Sequence, residues 1–155
     1  FNPFLFTSAR NIEVHLPNKK NTALANTALF GTKNDNGWNG YKITSASPLF
    51  KNTSIKVGDI LKFPTIEYDG APLVFKNNKP QLDTTKLNFY KQQLLGYDKG
   101  YRIKETHGTM LVFQKTKQSG IIINVGSTNW CSDGFTSENS NEIKALTFNF
   151  IDLLV

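Results

Sequence analysis

Ile143, Leu146, Thr147, Phe150, Ile151 and Leu154 fall at i, i+3, i+4, i+7, i+8 and i+11. This is the spacing of one helix face, and it predicts an amphipathic helix of roughly four turns. Asn139, with Glu142 three residues later, has the form of a capping box at its start. A helix of this kind must lay its apolar face on something. The segments before it supply a sheet. Gly108 to Lys115 reads as a strand, Lys117-Gln118-Ser119-Gly120 as a turn, and Ile121 to Gly126 as a second strand. The second strand is almost wholly apolar and is expected to be buried on both faces. The fold class expected is therefore α/β, a mixed sheet with a C-terminal amphipathic helix.

Upstream, Ile12-Glu13-Val14-His15-Leu16 alternates and stops at Pro17, as a short half-buried strand does. Tyr41-Lys42-Ile43-Thr44 reads as another strand, and Asn77-Asn78-Lys79-Pro80 as a turn. Leu87, Tyr90, Leu94 and Leu95 have helical spacing, which predicts a helix over 84–95 with Gly96 as its stop. Gly31 to Gly40 is a loop rich in Asn and Gly around a single Trp38. The opening Phe1-Asn2-Pro3-Phe4-Leu5-Phe6 is apolar, a docked terminal strand or a segment of a larger core.

At 155 residues the chain suits a single domain, 1–155, or the C-terminal segment of a larger one. A start on Phe1 rather than Met favours a processed product or a piece of something longer. Twelve Phe, five Tyr and two Trp are enough for a core. No apolar run approaches the ~18 residues of a membrane span. One cysteine excludes an internal disulfide framework and a Cys-rich zinc site. The formal charge is +6, but the cations are scattered and mostly lysine. A nucleic-acid binder clusters its basic residues and reads bases with arginine, so a lysine-solvated surface is the better reading.

Neither a phosphate-binding glycine loop nor a nucleophile elbow is present. Cys131 would need a base to act as a nucleophile, and His107 is the nearest by chain order. Glu67 and Asp69 would point to one face of a strand, where mutual repulsion raises the pKa of one carboxyl and poises it as a catalytic acid or base. Trp130, beside Asn129, follows a buried strand and would stand where open α/β sheets bind ligands. Asn52-Thr53-Ser54 matches a glycosylation acceptor, which in a chain with seventeen asparagines reads as chance.

Two segments carry a resemblance. The first runs from Ser47-Pro48-Leu49-Phe50-Lys51-Asn52-Thr53 through Val57-Gly58-Asp59 to Ile66-Glu67-Tyr68-Asp69-Gly70. The second comprises His107 to Phe113, Gly120 to Trp130 and the final helix. In order and spacing they resemble the C-terminal part of the large subunit of the N,N-dimethylformamidase family. The resemblance implies an amide C–N hydrolase on a domain similar to class I glutamine amidotransferases. It implies an iron whose ligands lie outside this chain, and a carboxylate role near that metal for Glu67. The partners implied are the remainder of its own polypeptide or a companion chain, and a small-molecule substrate. The chain would then be a hydrolase fragment, not catalytically complete alone. The alternative reading is a self-contained β-rich module that binds a sugar or peptide, with Trp38 and Trp130 as stacking platforms.

Overall fold

The computed structural model describes residues 38, 40–62, 70–98 and 107–155 with their side chains, and residues 13–14, 22–23, 29–30, 67–68 and 99 by backbone alone. Three short strands come first, β1 (Glu13–Val14), β2 (Thr22–Ala23) and β3 (Leu29–Phe30). Then follow β4 (Gly40–Ile43), β5 (Ile60–Lys62), β6 (Glu67–Tyr68), β7 (Leu73–Lys76), β8 (Lys79–Leu82), β9 (Lys91–Lys99), β10 (His107–Gln114) and β11 (Ile121–Asn124). The helix α1 (Ser140–Leu154) closes the described chain.

Five strands form the central sheet, in the order β11-β10-β9-β4-β5. Each of its ladders is antiparallel. The α/β class expected from the sequence holds in this coarse form, but the sheet is antiparallel where a mixed one was expected. Three two-stranded pairs accompany it: β1 with β2, β3 with β6, and β7 with β8. The β7–β8 hairpin turns at Asn77 and Asn78, both at positive φ (51° and 61°), the two-residue turn that matches strand twist.

The sheet is covered on both faces. On one, α1 and the short 3₁₀ turn Pro48–Phe50 pack Ile143, Leu146, Phe150, Leu49 and Phe50 against Tyr41, Ile43, Leu61, Leu95 and Met110. On the other, the β7–β8 hairpin and the segment after it pack Leu82 and Leu87 against Leu94, Leu111 and Phe113, with Phe89 stacked on Phe113 at 4.3 Å. Alternation along β10 sends Met110 and Val112 to the helix side, and Leu111 and Phe113 to the hairpin side.

A sheet between two cores explains why 84–95 is not the helix its spacing predicts. Residues 84–86 form a turn and β9 begins at Lys91. Met110 pairs with Gly96 and Leu111 with Leu94, so Leu95 is the extra residue of a β-bulge. Leu87 and Leu94 enter the hairpin-side core and Leu95 the helix-side core. Leu87, ahead of the strand, and two strand residues on opposite faces thus imitate the i, i+7, i+8 pattern. Ile122 and Ile123 likewise serve opposite faces, as expected for 121–126. But among the described residues β11 pairs with β10 alone, and Ile121 is exposed, so it stands at the edge of the described sheet.

The helix starts where expected, yet Asn139 and Glu142 do not cap it reciprocally. The Asn139 side-chain oxygen accepts from the Lys62 amide at 2.7 Å, and Glu142 accepts from the Ser54 hydroxyl at 2.9 Å. Both tie the helix start to β5 and its approach.

Asp83 organises the turn before β9. Its carboxylate accepts the Thr85 hydroxyl at 2.6 Å and the Thr85 amide at 3.0 Å, and its carbonyl accepts from Leu87. The Thr85 hydroxyl bond holds the carboxyl below its ordinary value against the opposing effect of burial, with Lys86 at 3.3 Å adding to it. A carboxyl depressed in the folded state contributes stability above its unfolded value and loses it as pH falls through the folded one. The acid window is therefore below about pH 4. Asp83→Asn is expected to cost about 1 kcal/mol at neutral pH. Urea midpoints should show that cost shrinking as the pH is lowered through this window.

Candidate ligand platform

At one corner of the central sheet a buried carboxylate positions a tryptophan. Asp98, near the end of β9, is 1% exposed. Its Oδ1 accepts from the Trp38 amide at 2.8 Å and its Oδ2 from the Gly40 amide at 3.3 Å. Bonds from an ionised acceptor to backbone N–H groups are among the stronger ones, and here they fix the entry into β4. Gly40 is required there. It sits at φ +154°, and a Cβ on it would meet the Leu61 carbonyl oxygen at 2.2 Å. The close β4–β5 approach leaves no room for a side chain.

The Trp38 ring stands edge-on to Tyr97, with centroids 5.1 Å apart and planes at 89°. Phe75, from the hairpin, meets Tyr97 at 5.9 Å and His107 at 5.3 Å, and Tyr97 meets His107 at 5.7 Å. These T-shaped contacts suit the ring quadrupoles. The Lys42 amine lies over Trp38 at 5.3 Å, a cation–π distance. Tyr97 is buried, and burial together with the Asp98 charge raises its phenol above the ordinary value, so it remains a protonated hydroxyl. Phe75 is 48% exposed and Trp38 half-buried, so the outer rings of the cluster meet solvent.

The other sequence candidates separate from this corner. Trp130 does not form a platform. It is 3% exposed, stacks on Phe150 at 6.2 Å, and donates its indole N–H to Thr147 Oγ1 at 2.9 Å. Its ring belongs to the core beneath α1. Asn129 is buried in the same turn, where its side-chain amide donates to Asp133 and its carbonyl accepts from the Gly134 amide. It is a turn-building residue. Cys131 is exposed in the turn after β11, whereas His107 packs among the rings of Phe75 and Tyr97, and the structure does not bring thiol and imidazole together. Glu67 is described by backbone only, in β6 opposite Phe30, and Asp69 lies outside the described residues. Next to them, Gly70 packs so closely on β10 that a Cβ there would meet the His107 carbonyl oxygen at 2.0 Å.

Asp98, Tyr97 and Phe75 were not singled out from the sequence. No local signal marks them: they meet only when β9, β10 and the β7–β8 hairpin pack together. Among the described residues no group of three His, Cys, Asp or Glu side chains is placed to hold a metal ion, and no helix is long and apolar enough to cross a membrane.

Residues 1–52 match the family model of a domain of unknown function, DUF4842. No curated protein and no solved structure matches the chain. This finding corrects the resemblance to the N,N-dimethylformamidase large subunit, because the family model that matches, over residues 1–52, is a different one. The iron, the amidotransferase-like domain and the role given to Glu67 beside a metal had no basis other than that resemblance. The matched residues include Trp38, Gly40 and β4, which form one side of the aromatic corner.

Proposed function

We propose that the chain is a β-rich binding module whose ligand is a saccharide lying against Trp38 and Phe75. The observation that carries this reading is the fixing of a solvent-edged tryptophan by a buried carboxylate. Two backbone N–H bonds to Asp98 and an edge contact with Tyr97 hold Trp38 in place before any ligand arrives. A rigid aromatic surface loses little freedom on binding, and its flat faces match the C–H faces of a sugar ring.

A second feature favours a sugar over a charged peptide. A groove of about 300 Å³ runs between β8 and β9, lined by Thr44, Ser45, Gln81, Thr84, Gln92 and Gln93 with Pro80, Leu82 and Leu94. None of these is charged, and hydroxyl and amide groups are the usual partners of a polyol. Pro80 is the strand partner of Phe75, so the groove and the aromatic corner share the β7–β8 hairpin.

The test is a glycan panel and a peptide panel titrated against the chain by tryptophan fluorescence. A saccharide is expected to shift the emission. Trp38→Ala should abolish that shift and weaken binding roughly tenfold or more, while leaving the buried Trp130 signal in place. Binding to peptides alone would replace the sugar reading. Silence across both panels would remove the module reading.

A further inference from the structure

The outward face of α1 exposes large apolar side chains between its polar ones, where a lone surface helix is normally polar throughout. Phe148 is 67% exposed, and Ile151, which its spacing counts with the core face, lies on the flank toward Phe148 and is 51% exposed; a spacing of seven brings Val155 to the side of Phe148. The opposite face holds the buried Ile143, Leu146 and Phe150. A helix that is apolar on both sides has a second surface to cover.

We propose that this face joins two copies of the chain, with their α1 helices antiparallel and crossing at Phe148. Charge placement argues for a second copy. Lys144 and Asp152 stand four residues before and four after Phe148, one turn to each side. In an antiparallel pair centred on Phe148, Lys144 of each copy comes level with Asp152 of the other. The same face is then complementary to itself, as a two-fold contact requires. The other polar side chain on this face is Asn141, which is uncharged. Asp152 already meets Lys51 at 3.4 Å, but both ends of that pair are more than half exposed and free to be shared. The strip from Lys144 to Val155 is about 16 Å long. A contact that short makes a weak, concentration-dependent dimer. Because α1 lies on the sheet face opposite the aromatic corner, dimerisation and sugar binding succeed or fail separately.

Sedimentation velocity on the full chain, over a concentration series into the millimolar range, tests this. The expected result is a monomer–dimer equilibrium. Phe148→Asp should weaken it roughly 30-fold or more, with circular dichroism and melting unchanged because the side chain is exposed. Lys144→Asp and Asp152→Lys should each weaken it, and the two together should restore it. A chain that stays monomeric throughout the series overturns the proposal, whether or not it pellets with lipid vesicles. A dimer indifferent to Phe148→Asp, or one the paired charge reversal does not restore, overturns it as well.

Discussion

Trp130→Ala is expected to destabilise the chain by about 3–5 kcal/mol, the range for removing a large buried aromatic residue. The ring is 3% exposed, stacks on Phe150 and ties its N–H to Thr147, which itself donates to the Ile143 carbonyl at 2.7 Å. Its loss opens a cavity between the turn after β11 and α1, and takes from the Thr147 hydroxyl the donor it accepts from, leaving only its bond to Ile143. The melting temperature should fall by roughly 10 °C. Trp130→Phe keeps most of the volume and loses the hydrogen bond, so it should cost only about 1–2 kcal/mol. Urea unfolding of the two variants checks the ranking. A cost for Trp130→Ala below about 1 kcal/mol would contradict its place in the core.

Asp98→Ala carries the second large effect. It strips the acceptor from the buried bond of the Gly40 amide and the part-buried bond of the Trp38 amide; a buried N–H left unpaired costs about 1–3 kcal/mol, and a part-buried one less. The expected total is about 2–5 kcal/mol, with faster hydrogen exchange at those two amides and a red shift in Trp38 emission. Asp98→Asn keeps one acceptor oxygen and should fall between the alanine variant and the native chain. It also removes the charge that helps burial to raise the Tyr97 phenol. Spectrophotometric titration of Asp98→Asn should therefore show Tyr97 ionising at a lower pH than in the native chain, still above its ordinary value because burial remains. Asp98→Ala should also weaken sugar binding, by releasing Trp38 rather than by removing a contact with the ligand.

Much of the local structure was legible in the residues. The turn at Asn77-Asn78 appears where asparagines that tolerate positive φ permit it. The strand at Gly108 to Lys115 and the helix after Asn139 follow their periodicities. The reading of 84–95 as a helix went wrong because leucines destined for two opposite cores were counted as one face. The corner brings Trp38 and Phe75 to the β9–β10 pair that carries Tyr97 and His107, three regions distant in sequence, so no spacing could announce it. Trp38 was visible as an isolated indole in an Asn- and Gly-rich stretch, and His107 was noticed only as a base for Cys131.

By itself, then, the order of residues determined what each segment prefers: where backbone can turn, which stretch alternates, and which face of the last helix is oily. Those preferences arise between near neighbours along the chain. Tertiary structure decided which tryptophan is buried in the core and which is left half-buried at the sheet's corner. Both indoles sit in polar loops, and they differ only in what folds over them: α1 closes on Trp130, while Asp98 holds Trp38 at the sheet's corner. Burial is a property of the assembled layers, so residues with the same local surroundings meet opposite ends.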